Sequence, residues 1–288
     1  MGGEGMKKWC HIEEQIAKVL MVGSIFLILG SLFAVIAVIV YKGIGALSLS
    51  MITQTPKGGY YLGKEGGILN AIVGSLYLAV GATASSVIIS LPIAFSLQRE
   101  YLGPRLSNLV RLSLDVLWGI PSIIYGVFGF TIMLYCGLRA SLLGGIIVLT
   151  LLEIPILVRA IDEVLKMVPP QLKEASYIVG ATRFETMMKV VCRQALPGIV
   201  SATILAFGRG IGDAASILFT AGYTDHIPHS LFEPVASLPL AVFFQLGTPF
   251  PEVQERAYAS ALILLIIVLL LTVISRLLTR RFAQYIVR

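Results

Sequence analysis

Charge is scarce in this chain. Asp, Glu, Lys and Arg together make up 13% of its 288 residues, apolar residues make up 57%, and the mean hydropathy is +0.88. A water-soluble domain carries about twice that share of charge, so a soluble enzyme is excluded and lipid is the solvent for most of the chain. Cysteine is scarce as well. Cys10, Cys136 and Cys192 are an odd number without metal-ligand spacing, which excludes a disulfide framework and predicts three unpaired thiols. Histidine offers no metal site: His226 and His229 are three apart, Pro228 separates them, and no third ligand is evident. The apolar runs contain no Ser/His, His/Glu/His or paired-Asp constellation, which argues against a membrane-embedded hydrolase and predicts no catalytic residue. The net charge of +6 is not gathered with aromatic side chains on one surface, so no nucleic acid is expected as a partner.

Long apolar runs dominate what remains. Residues 19–41 form 23 positions without a charge, closed by Lys18 and Lys42, and at about 1.5 Å per residue they cross a bilayer core. Further runs at 68–97, 109–136, 140–158, 196–222 and 258–278 complete the pattern. The expectation is an all-α polytopic membrane protein with six transmembrane helices. If the N-terminus is cytoplasmic, 16 basic residues fall in the cytoplasmic segments and five in the outer ones, so the positive-inside rule puts both termini in the cytoplasm. Two units are expected: 1–67, with the N-terminal tail, the first helix and an outer loop, and 68–288, a five-helix core. The cytoplasmic connection 159–195, divided by Pro169 and Pro170, reads as two short amphipathic helices. The outer loop 223–255 holds five prolines and aromatic residues, which predicts a packed, partly helical cap.

Within the cytoplasmic connection stand Glu174, Ala175 and Ser176, then Gly180 after three more residues. This resembles the Glu-Ala-Ala and Gly signature of permease subunits in ABC importers, where the segment is a coupling helix that docks on the ATPase subunit. Read from its residues, the segment offers a small face (Ala175, Ser176, Gly180, Ala181) for close approach and a charge at Glu174 for a partner. The plain alternative is an amphipathic helix lying on the membrane. Where the family often continues to a Leu-Pro pair, this chain has Cys192-Arg193, with Leu196-Pro197 a little later. Residues 58–64 match part of a phosphate loop, but Glu65 replaces the Ser or Thr that would hold the metal. ATP binding is therefore not expected of this chain, and no cofactor motif is present.

The fifth run ends in Gly208-Arg209-Gly210-Ile211-Gly212-Asp213, the third contains Trp118-Gly119-Ile120-Pro121-Ser122, and Glu255-Arg256-Ala257-Tyr258 opens the sixth. Together these resemble the permeases of phosphate importers, of the PstA type. The resemblance implies a MetI-like, type I importer fold, a second homologous permease (PstC-like), ATPase subunits (PstB-like), and an extracytoplasmic phosphate-binding protein. Independently of it, Arg209 sits near mid-depth of its run, where an isolated charge costs about 2.5–3.5 kcal/mol and is by default a functional candidate. Asp213, four residues on, is expected on the same helical face and close enough to pair. One reading places Arg209 and Asp213 on the substrate path, Arg209 binding an oxyanion and Asp213 holding the guanidinium when the path is empty. The other is an internal salt bridge that locks neighbouring helices. Glu153, before Pro155, reads as satisfying local polarity near the cytoplasmic face, and Asp115 as interfacial or paired with Arg111. Sulfate, molybdate or tungstate importers, and a carrier not coupled to ATP, stay open as alternatives.

Overall fold

The computed structural model describes residues 3–57 and 65–283; the phosphate-loop-like stretch 58–64 lies outside the described residues. Among the described residues five helices are long and apolar enough to cross a membrane, six if one bent pair is counted as a span. The first, α1 (Gly3–Ala46), has 44 residues and is therefore about 66 Å long, roughly twice a bilayer core. No residue of its apolar window is buried, and its helix partner is α11 (Pro251–Ala283). Gly43 permits that contact, because a Cβ there would lie 2.8 Å from the Tyr258 carbonyl oxygen. Lys42 Nζ donates to the Tyr258 hydroxyl at 3.4 Å.

After α1 come a short helix, α2 (Leu49–Thr53), and a two-residue antiparallel hairpin, β1 (Pro56–Lys57) with β2 (Glu65–Gly66). The centre of the bundle is α3 (Leu69–Ser96) against α6 (Leu142–Lys166). Small residues on α3, among them Ala71, Gly74, Ser75, Ala79, Ala82, Thr83 and Ser86, are buried along its length. In lipid no hydrophobic force drives helices together, so such a stripe brings two backbones close enough for dispersion contacts. Helix α9 (Cys192–Gly212) runs antiparallel to α6: Gly198 lies on Val164 and Gly210 on Glu153.

The third predicted span is not one helix. Helix α4 (Pro104–Gly119) and helix α5 (Ser122–Tyr135) meet at 97°. Pro121 supplies no N–H and holds the chain extended at the break, and the Tyr125 hydroxyl fastens it by donating to Leu117 O at 2.8 Å. The connection 159–195 also differs from the expectation of two separate helices. Its first eight residues continue α6 to Lys166; α7 (Pro170–Ile178) stands alone; α8 (Arg183–Glu185) leads through a π segment, Thr186–Val191, straight into α9. Apolar contact continued past the last uncharged residue, which hydropathy alone does not register.

At the opposite end lies the expected cap. Helix α10 (Leu238–Leu246) is wedged between α3 and α11, with Val235, Ala236, Leu238, Leu240 and Ala241 fully buried. Loop carbonyls of Thr220, Glu233 and Leu231 accept from the N–H groups of Ser141, Leu142 and Leu143, each at 2.8 Å. These are donors that the first turn of a helix cannot satisfy internally, so the cap completes α6.

Candidate functional site

Of three apolar cores among the described residues, one lies around Met51, Ile68 and Leu238, one around Leu157, Ile161, Leu165 and Ile199 toward α7, and one around Leu78, Leu149, Ile217 and Leu240 toward α10. Between the last two is a polar layer. Glu153 is fully buried there, and its carboxyl oxygens accept from Ser86 Oγ at 2.8 Å and Thr83 Oγ1 at 3.3 Å. Because α6 extends to Lys166, Glu153 lies near the middle of its helix and not near one end, which corrects the sequence expectation. Gly210 of α9 covers this carboxyl so closely that a Cβ would collide with Oε1.

Arg209 is therefore level with the polar layer, on the neighbouring face of α9. It lines a cavity of about 560 Å³ between α9 and α11, with Trp118 beside it. Among the described residues no carboxylate lies within 4.0 Å of its guanidinium. The expected pair with Asp213 is not formed. Helix α9 ends at Gly212, Asp213 adopts extended backbone, and its Oδ2 accepts from Ser216 N–H at 2.9 Å. An aspartate at a chain reversal bonds the backbone a few residues on, and this local bond outcompetes a helical continuation that would have carried the carboxylate around to Arg209.

Toward α7 the structure assembles a cluster that hydropathy and spacing missed. Asp162 is fully buried and receives two bonds from Arg111, Nε to Oδ2 at 2.8 Å and Nη2 to Oδ1 at 3.0 Å. Lys166 Nζ is 2.8 Å from Oδ2, and Gln98 Nε2 donates to Oδ1 at 3.1 Å. Arg111 also reaches Leu97 O at 2.9 Å. One carboxylate thus joins the end of α3, α4 and α6. Asp115, expected to be interfacial or paired with Arg111, is partly exposed and pairs with Arg159, Nε to Oδ1 at 2.7 Å. The signal that could have found this was Asp162 itself, an acid four residues from Lys166 and three from Arg159 on one helix face.

Helix α7 carries the Glu174–Gly180 signature. Glu174 and Ala175 are exposed, and Gly180 takes φ +85° as the helix ends, a conformation glycine adopts without the Cβ penalty. Ser176 is not on the free face: it is buried, its hydroxyl 2.9 Å from Thr186 Oγ1 of the π segment, so the expected small-residue face is partly spent inside the chain. What remains exposed beside Glu174 is apolar, with Ile178 at 85% and Val179 at 83%, a surface that isolated chains seldom leave uncovered. Lys173 anchors α7 to Glu100 at 2.9 Å. Burial pushes the Glu100 carboxyl up, but the hydrogen bond and charge of Lys173, with Arg183 nearby, hold it below its ordinary value.

In the loop, Thr224 Oγ1 lies 2.8 Å from His226 Nδ1, and His229 donates its backbone N–H to Glu233 Oε2 at 2.8 Å. The His226 ring is thus held by Thr224, whereas His229 is held through its backbone.

Residues 86–287 match the family described as binding-protein-dependent transport system inner membrane component. The phosphate transport system permease protein PstA of Yersinia pestis is 31% identical over 93% of this chain and 90% of that protein. Its counterpart in Haemophilus influenzae is 34% identical over 83% of this chain and 84% of that one. Among solved structures, a chain of a bacterial alginate ABC transporter superposes with TM-score 0.65 over 95% of this chain and 97% of its own, at 14% identity. A chain of the inward-facing MetNI methionine ABC transporter gives TM-score 0.62 over 75% and 95%, at 20% identity. At those identities the likeness is one of fold. With a family match over most of its length, relatives above 30% identity and a shared helix order, this chain belongs to the binding-protein-dependent transport system inner membrane components, the permease subunits of ABC importers.

Proposed function

We propose that this chain is one of two homologous permease subunits of an ATP-driven importer of inorganic phosphate, and that Arg209 contacts the anion in passage. The observation that carries this reading is a guanidinium at mid-depth of the bundle that lines a cavity and faces no carboxylate among the described residues. A charge so placed is costly unless it serves a ligand or partner. The planar fork donates two parallel bonds to an oxyanion and stays charged at every cellular pH. The phosphate transport relatives supply the substrate. Asp213 acts on the same path from the helix end, by fixing the turn that follows α9.

In this reading α7 and its continuation to Gly180 dock on an ATPase subunit of the PstB kind, with Glu174 and Ala175 at the contact and Ile178 and Val179 buried by it. Ser176 ties that contact to Thr186, and so to α9. The second permease is PstC-like, and a phosphate-binding protein delivers substrate at the α10 end. This reading places both termini in the cytoplasm, supported by the 16 to five partition of basic residues.

The test is phosphate uptake by vesicles holding all subunits. Arg209→Ala is expected to cut uptake by on the order of a hundredfold, from loss of a charged hydrogen-bonding group worth about 1.5–3 kcal/mol. Arg209→Lys, which keeps charge but not the fork, retains an intermediate rate. Undiminished flux in Arg209→Ala sinks the reading. Competition by sulfate, molybdate and tungstate sets the anion, and vanadate inhibition separates the importer from an ATP-independent carrier.

A further inference from the structure

We propose that Arg276 is a second oxyanion contact, and that the phosphate group is handed from Arg209 to Arg276 along the cavity between α9 and α11. This rests on the reading of Arg209 given above. Both arginines line that one cavity of about 560 Å³. Helix α9 contributes positions from Ser201 to Arg209, and α11 contributes positions from Val268 to Arg276, an equal length of about 12 Å on each helix. Because the two helices run antiparallel, Arg209 stands at one end of the cavity and Arg276 at the other, toward α7.

The wall between them carries no other charged side chain. Ile204, Leu205 and Leu271 are apolar, and the Ser201 and Thr272 hydroxyls donate to Pro197 O and Val268 O, each at 2.8 Å, with Ser275 beside them. Among the described residues Arg276, like Arg209, has no carboxylate within 4.0 Å. An anion released by Arg209 toward α7 therefore meets one other guanidinium of this chain in the cavity. Two moderate contacts in series also suit a conduit better than one strong site, since each must release what it binds.

An arginine near a helix end can also turn toward a lipid headgroup, whose phosphate has the same chemistry. The experiment separates the two sources. The complete importer is reconstituted in neutral phosphatidylcholine vesicles and in vesicles with added anionic phosphatidylglycerol, carrying Arg276→Gln, Arg276→Lys or Arg209→Ala. Arg276→Gln is expected to lower initial phosphate uptake on the order of tenfold in both lipids, with Arg276→Lys recovering part of the loss. A loss confined to the anionic vesicles assigns Arg276 to the headgroup and overturns the handover. Full uptake by Arg276→Gln alongside impaired Arg209→Ala also overturns it, and leaves the Arg209 reading standing. Full uptake by both variants removes both. Should Arg276→Gln fail to assemble, the unsubstituted complex in neutral vesicles decides. Phosphate is expected to slow phenylglyoxal modification of Arg276, read by mass spectrometry, and an unprotected Arg276 refutes the proposal.

Discussion

Gly210 has no room for a methyl group. Its Cα rests against the buried Glu153 carboxyl, so Gly210→Ala forces apart α6 and α9 at the layer that also carries Arg209. Overpacking of this kind costs about 1–3 kcal/mol, to be read as a lowered midpoint in thermal unfolding of the purified complex. In a Glu153→Ala background the same change is expected to cost well under half as much, because contacting sites couple; equal costs in both backgrounds refute the contact. The sequence showed that Arg209 lies deep and that glycines flank it. It did not show which glycine faces what: Gly208 lines the cavity, Gly210 meets Glu153, and Gly212 has open space. Nor did it show that Asp213 turns away, since a four-residue spacing implies a shared face only while the helix lasts.

Helix ends decide most of the differences at the next scale. Span positions followed from uncharged runs, and α3 fits residues 68–97 closely. Span four outruns its apolar segment because charged residues at its end are paired, as Asp162 is by Arg111 and Lys166. The 97° break had its signal in Gly119-Ile120-Pro121, yet a proline alone does not fix the size of a bend. Asp162 is the clasp that holds α4 across the ends of α3 and α6. Asp162→Asn leaves Arg111 and Lys166 without their buried counter-charge, a change that costs about 3–5 kcal/mol in comparable pairs. Limited proteolysis is expected to cut the α3–α4 connection faster in this variant while α10 stays protected. Equal cutting at both places contradicts a local clasp.

For the whole molecule, the family and the six-span plan were legible, whereas the seam by which α1 joins the rest was not. Its apolar stretch has a mean hydropathy of 2.7 against 2.9 for that of α11, but its contacts run along α11 and leave that stretch uncovered within the chain. Orientation is the property that the bundle geometry and the charge partition address together. Cys136, exposed at the end of α5 that approaches the start of α6, is expected to react with a membrane-impermeant maleimide added outside intact cells. Cys192, half-buried at the α7 end, is expected to stay unlabelled until the membrane is opened. Labelling of Cys192 alone from outside would reverse the assigned topology.

The π segment at Thr186–Val191 sets the compass bearing of everything beyond it. Such a segment is an α-helix with a supernumerary residue, and in an α-helix one residue corresponds to a rotation of about 100°. Excising a single position from the first turns of α9, where no supernumerary residue can absorb the loss, would dial Arg209 off its cavity and swing it out of alignment with α11, without altering any residue at the site itself.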